Sequence, residues 1–259
     1  SRSSAASDVY KRQDQWRGVL DQVVELTDHG TLKKIWDFED FLDSREATSL
    51  PPHTSIAGEV VASTSSLDAH RPQSDDVLLR GVTMSARRGH ITVLSGPSGV
   101  GKSTLLRLLA GLDVPASGEL TLPDQTAWVP QNPENYLVAR TAADELFASP
   151  MLPENADLRD LVRTFGLKPF LDSHPMTCSG GEKRRLAIAA AVAQLPDLLL
   201  LDEPTVGLDD DRGVSVLSAI RAAADSGVAV VVSSHDRQVI AMADEVVDVL
   251  SLIHISEPT

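Results

Sequence analysis

Gly96-Pro97-Ser98-Gly99-Val100-Gly101-Lys102-Ser103-Thr104 lies between two apolar runs, His90–Ser95 before it and Ser103–Ala110 after it. The spacing matches G-x-x-x-x-G-K-[ST] at Gly96, Gly101, Lys102 and Ser103. A strand, a glycine-rich loop and a helix in that order are the context this pattern needs. Glycines let successive backbone N–H groups converge on phosphate oxygens, and the helix N-terminus adds partial positive charge at the same place. Lys102 suits outer phosphates and the Ser103 hydroxyl suits a Mg²⁺ ion.

Outward from the loop, the strongest signal is Leu198–Leu201, a continuous apolar run ending in Asp202-Glu203. Such a run reads as a strand buried on both faces of a parallel sheet, and ligands collect at the carboxyl ends of those strands. An aspartate there suits Mg²⁺, and a neighbouring glutamate can orient and deprotonate a water. Standing alone, the pair would read as a cap for the next helix. Val228–Val232 is a second buried strand, ending at Ser233-Ser234-His235. Ser179-Gly180-Gly181 before an alanine-rich helix is a second anion nest or, by itself, an N-cap with a tight turn. Strands alternating with helices place the chain in the α/β class with a largely parallel core.

Composition sets the bounds. The 259 residues suit one or two domains, and a net charge of −14 argues against a general nucleic-acid binder. No apolar run approaches a membrane span, so a role at a membrane is expected to go through a partner. Cys178 is the one cysteine, so no disulfide framework exists and the cytosol is the default compartment.

Along the chain, Leu20-Asp-Gln-Val-Val-Glu-Leu26 has strand character and resembles Ala243-Asp-Glu-Val-Val-Asp-Val249 position by position. Thr27–Gly30 reads as a turn and Lys33–Arg45 as an amphipathic helix with Ile35, Phe38, Phe41 and Leu42 on one side. Residues 14–48 are thus expected to be the tail of an earlier copy of the same domain, or else a small strand and helix belonging to this one. Residues 49–55, with Pro51 and Pro52, read as a linker. The main domain is expected over 56–249. Within it, Glu59–Ala62 reads as a strand and Ser63–Asp76 as a loop. Val77–Leu79 and Val82–Met84 read as strands, as do Gly118–Leu122 and Ala127–Val129. Gln131–Glu134 is a break. Thr141 heads a capping box, Asn155 is expected to cap a second helix, and Val214–Ala224 reads as a third. The helices of about 132–194 form an inserted lobe.

The ends, 1–13 and 250–259, look foreign. Asp8-Val-Tyr-Lys-Arg-Gln13 can be encoded GAT GTG TAT AAG AGA CAG, whose reverse complement translates as Leu-Ser-Leu-Ile-His-Ile, the residues at Leu250–Ile255. Both ends resemble a translated transposase sequencing adapter. By that resemblance the native part runs from about Asp14 to Val249 and is a fragment of something longer.

The constellation as a whole resembles the ATP-binding cassette (ABC) ATPases. Gly96–Thr104 is similar to the family's Walker A motif, Gln131 to its Q-loop glutamine, and Cys178-Ser-Gly-Gly-Glu182 to its signature, with cysteine in place of leucine. Leu198–Asp202 is similar to Walker B, Glu203 to the catalytic glutamate, Gly207-Leu-Asp209 to the D-loop and His235 to the switch histidine. The resemblance implies an ATP-binding fold with a mainly parallel sheet, an antiparallel β part and a helical lobe. It implies that Gly96, Pro97, Ser98, Gly99, Val100, Gly101, Lys102, Ser103 and Thr104 bind ATP. Ser103, Gln131 and Asp202 are expected on Mg²⁺, with Glu203, His235 and Gln131 catalytic. Ser179, Gly180, Gly181, Glu182 and Asp209 are expected to bind nucleotide too, Ser179 and Gly181 at the site of a second cassette facing head to tail. One departure is the adenine-stacking aromatic: Leu67–Gln73 offers only His70 as a flat ring.

Val129-Pro-Gln-Asn-Pro-Glu134 and Thr141-Ala-Ala-Asp-Glu-Leu146 resemble the energy-coupling-factor and cobalt-type importer ATPases. The expectation is therefore the second cassette of a tandem ATPase. It would be peripheral on the cytoplasmic face of the cell membrane, docked on an integral membrane subunit, with no nucleic-acid partner, and would import a vitamin or metal ion. The ATPase half of a fused exporter, a tandem sugar importer and a soluble ribosome-associated tandem ATPase are the alternatives. The last usually carries EPTNHLD, where this chain has Val206 and Gly207.

Overall fold

A computed structural model of the chain describes residues 22–26, 32–37, 58–71, 74, 76–148, 152 and 157–252. The chain forms two compact units, Ser1–Pro51 and Pro52–Thr259. In the first, β1 (Gln22–Leu26) pairs antiparallel with β2 (Leu32–Asp37), Val23 facing Trp36 and Val24 facing Ile35. This corrects the helix expected from Lys33. Leu, Ile and Trp close behind a first strand favour cross-strand pairing, and that pairing overrides a 3.6-residue spacing of apolar positions. Residues 38–45 of that expected helix, the Thr27–Gly30 turn, the linker and the segments 1–13 and 253–259 lie outside the described residues.

The second unit is built on five parallel strands in the order β10-β5-β9-β8-β7. They are β5 (Ile91–Ser95), β7 (Thr126–Val129), β8 (Leu198–Asp202), β9 (Ala229–Ser233) and β10 (Glu245–Asp248). Every residue of β8 and β9 is buried, as an apolar run covered on both faces requires. The register sets Asp202 beside Ser233, Ser233 beside Leu94, and Ser95 beside Asp248. The polar strand ends thus fall in one row, at the carboxyl edge.

A second sheet is antiparallel, ordered β4-β3-β6, from β3 (Val60–His70), β4 (Val77–Arg87) and β6 (Ser117–Thr121). The loop expected from Ser63 is strand as far as His70. Small residues keep the alternation: Ala62 and Thr64 point inward, the register slips past Ser66 at φ 47°, and Leu67 and Ala69 point inward again. Thr64 is buried because its hydroxyl donates to Val82 O (3.0 Å) and accepts from Met84 N (3.1 Å). The two short strands expected over 77–84 are one, running through Gly81, whose N–H donates to Asp68 Oδ1 at 2.7 Å.

Among the described residues the α-helices are α1 (Lys102–Leu109), α2 (Ala142–Phe147), α3 (Arg159–Thr164), α4 (Gly180–Ala193), α5 (Asp210–Asp225), α6 (Arg237–Ala241) and α7 (Val249–Leu252). Asn155 lies outside the described residues, and α3 starts at Arg159 with Leu158 in the cap position. Helix α5 starts four residues before the expected Val214, because Asp209 accepts from Arg212 N and nucleates a turn that absorbs Gly213. Helices α2 to α4 leave the sheet after β7 and return into β8, which pairs directly with β7. Leu79, Leu105, Leu106, Leu109, Leu198, Leu200 and Val231 fill the core between α1 and the two sheets.

Candidate functional site

The loop after β5 turns on three glycines with positive φ: Gly96 at 136°, Gly99 at 83° and Gly101 at 112°. At Gly101 a Cβ would stand 2.6 Å from Leu79 Cδ2, so only glycine fits. Gly101 is also the N-cap of α1 and offers no side-chain acceptor. The first-turn N–H groups, including those of Ser103 and Thr104, are therefore left for an external anion. Lys102 is buried, and its ammonium is held on the loop, donating to Gly96 O (2.6 Å) and Pro97 O (3.1 Å). Pro97, Ser98, Gly99 and Ser103 are exposed, Val100 is half-buried, and Thr104 is buried behind them.

The carboxylates come from β8. Asp202 is 6% exposed and accepts the Ser233 hydroxyl on Oδ1 at 2.7 Å. Glu203 follows in a left-handed conformation, φ 51°. Its N–H donates to Ser233 O at 2.9 Å, Oε1 lies 2.7 Å from His235 Nδ1, and Oε2 accepts from Ser234 Oγ at 3.3 Å. His235 is anchored through Nδ1, its side chain 61% exposed. Beyond the histidine, Thr205 Oγ1 donates to Asp236 Oδ2 at 2.7 Å, tying the turn after Glu203 to the turn after His235.

Among the described residues no cluster of three or more His, Cys, Asp or Glu side chains could hold a metal alone. Ser103, Gln131 and Asp202 are too few oxygens for Mg²⁺, which ordinarily completes its octahedron with substrate phosphates and water. The residues fit a metal that arrives with a nucleotide.

Ser179 caps α4 as one half of a capping box: Ser179 Oγ accepts from Glu182 N, and Glu182 Oε2 accepts from Ser179 N at 2.8 Å. That backbone bond, with help from the Ser179 hydroxyl, holds the Glu182 carboxyl below its ordinary value. Ser179 and Gly180 are exposed, and a side chain at Gly180 would meet nothing within 4 Å. Gly181 abuts Gly207 O and Leu208, so the turn at Ser179–Gly181 packs on the loop that leads to Asp209. Cys178 is buried, and burial pushes its thiol up.

Two arginines of α4 were not foreseen. Arg184 donates to Glu203 O, Val206 O and Gln131 O. Arg185 donates to Phe165 O at 3.0 Å. Burial lowers the pKa of both. An unpaired buried cation is several kcal/mol unfavourable, which is why each is wrapped in carbonyl oxygens. The signal was present in the sequence: Arg184, Ile188 and Val192 fall at i, i+4 and i+8, on the buried stripe of the helix. Ser233, Ser234 and Thr205 were missed for a different reason, since a hydroxyl gives no pattern of its own.

The turn after Gln131 is tied to α1 as well. Arg107 forks onto Asp113 (2.7 and 2.8 Å) and lies over the Trp128 ring, 6.0 Å from its centroid. Tyr136 meets the same ring edge-on at 5.7 Å. Gln131 itself is exposed, and His70 sits exposed at the end of β3. Among the described residues no helix is long and apolar enough to cross a membrane.

The family profile "ABC transporter" matches residues 79–206. Energy-coupling factor transporter ATP-binding protein EcfA1 of Bacillus subtilis is 33% identical over 200 residues, covering 69% of this chain and 70% of that protein. A second Bacillus subtilis protein, YkoD, named for HMP/thiamine import, is 35% identical over 199 residues, 71% of this chain. The chain spans 36% of that relative's length, and 62% and 65% of two archaeal ones. Among solved structures, cbiO1 of Clostridium perfringens, part of the transporter complex cbiONQ, superposes with a TM-score of 0.57 at 27% identity, covering 69% of this chain and 79% of that one. Loop, strand ends and relatives agree: the chain belongs to the ABC transporter family.

Proposed function

We propose that this chain binds and hydrolyses ATP to drive an importer of energy-coupling-factor type, through a membrane subunit on which it sits peripherally at the cytoplasmic face. The observation that carries the reading is Glu203: a carboxylate 8% exposed, fixed by Ser233, Ser234 and His235 at the strand end next to Asp202. Glycine-loop amides and Lys102 bind the phosphates. Ser103, Gln131 and Asp202 would hold Mg²⁺, which when bound neutralises charge on the outer phosphates. Glu203 accepts a proton from the attacking water, and His235, hydrogen-bonded to it, fixes the carboxylate's orientation.

A second cassette, facing head to tail, completes each site with Ser179, Gly180, Gly181, Glu182 and Asp209. Support for a tandem arrangement comes from two sides. β1 and β10 are strands at matching positions of the repeated stretch, and YkoD is matched over 36% of its length. The choice of transported molecule stays with the membrane partner. The test pairs two variants. Lys102→Ala should abolish ATP binding by calorimetry, whereas Glu203→Gln should keep ATP bound and lose turnover. Multiple turnovers by Glu203→Gln at the parent rate would overturn the reading.

A further inference from the structure

The chemistry needs Glu203 and the segment at Gln131, and one guanidinium reaches both. Arg184 stands on α4, five residues beyond Ser179, and is 9% exposed. Nη1 donates to Glu203 O (3.3 Å) and to Val206 O, and Nη2 donates to Gln131 O. All three acceptors are backbone carbonyls, so the arrangement is a splint between loops. One of those loops needs a splint. Glu203 has φ 51°, a region that non-glycine residues occupy only where their surroundings hold them. Its N–H is secured by Ser233 O, and its carbonyl accepts from the Val206 N–H at 3.3 Å and from Arg184, which alone of the two reaches it from another element.

We propose that Arg184 is a positioning residue. It fixes the Glu203 turn and the Gln131 segment to the helix that carries the signature, so that the base and the Q-loop follow any displacement of that helix. Arg184 is committed to backbone carbonyls, and its effect is on the geometry of the step. A planar fork holds acceptors on both of its arms in one fixed geometry, whereas an ammonium is a single point of attachment on a flexible stem. The proposal rests on Glu203 acting as the base.

Single-turnover hydrolysis of ATP with Mg²⁺ by the full chain, at concentrations where two copies pair, tests it on the parent, Arg184→Gln, Arg184→Lys and Glu203→Gln. Arg184→Gln should lower the rate on the order of 10- to 100-fold, the range expected when a catalytic group is misplaced by about 1 Å. The half-saturating ATP concentration should stay within about 3-fold of the parent, since uniform binding is untouched. Arg184→Lys should fall between. In the Glu203→Gln background Arg184→Gln should cause no further loss, because both act through one group. A folded Arg184→Gln with the parent rate, or a change confined to the half-saturating concentration, overturns the proposal. Where Arg184→Gln gives no cooperative melt, Arg184→Lys carries the same two outcomes. If Glu203→Gln itself hydrolyses at the parent rate, the premise fails rather than the splint.

Discussion

At the scale of single residues, Gly99 and Gly101 separate two kinds of requirement. Both have positive φ, but a Cβ at Gly99 meets nothing within 4 Å, whereas at Gly101 it strikes Leu79. Left-handed backbone is roughly 1–2 kcal/mol unfavourable for a residue with a Cβ, and forcing a methyl into packed side chains adds about 1–3 kcal/mol. Gly101→Ala should therefore lower the melting temperature more than Gly99→Ala. Calorimetric melts of both check the order, and equal shifts would refute the packing argument. The glycines and Lys102 were legible in the sequence because a fixed spacing encodes one backbone shape. Arg184 was not, because Lys183-Arg184-Arg185 reads as a solvated cationic face until the stripe it interrupts is counted along the helix.

Elements are decided by their ends. Helix α4 begins on a reciprocal serine–glutamate box, and the Glu182 carboxyl is held below its ordinary value of 4.5. A carboxylate with a depressed folded-state pKa contributes stability above its unfolded value and loses it as pH falls through the folded one. Glu182→Gln should accordingly melt closer to the parent at acid pH than at pH 7, the gap closing below about pH 4.5. Melting curves from pH 3 to about pH 7 would show it, and a gap constant with pH would count against the box. Ends were also where sequence reading slipped. β3 hid behind Ser63, Ser65 and Ser66, since small polar residues carry little strand preference, while Thr64 is buried by two hydrogen bonds that only the folded sheet supplies. The start of α5 was read late because Gly213 lowers helix preference, which the Asp209 cap more than offsets. The buried strands β8 and β9 were legible to within a residue at each end, since unbroken apolar runs such as Leu198–Leu201 and Val228–Val232 have few other uses.

For the whole molecule, the proposal that each ATP is held by one cassette's Lys102 and another's Ser179 makes a complementation test possible. Lys102→Ala and Ser179→Arg should each be nearly inactive as pure preparations. Mixed, they should recover hydrolysis, since the Ser179→Arg copy brings an intact glycine loop and the Lys102→Ala copy an intact signature. Steady-state assays at rising protein concentration measure it, and a mixture no more active than its parts refutes the facing arrangement. Net charge bears on the same scale: at −14, two copies repel at long range, so their association should strengthen with salt.

Trp128, on the edge strand β7, is wedged between Arg107 of the phosphate-loop helix and Tyr136 of the turn that follows Gln131. Its indole N–H is buried with no acceptor among the described residues. The chain has three tryptophans, and Trp128 alone lies within residues 58–252. Replacing Trp16 and Trp36 with phenylalanine leaves a single tryptophan, whose two neighbours belong to the phosphate-loop helix and to the turn after Gln131. Its emission colour and quenching then report, in ordinary buffer and with no dye attached, whether ATP shifts those two segments.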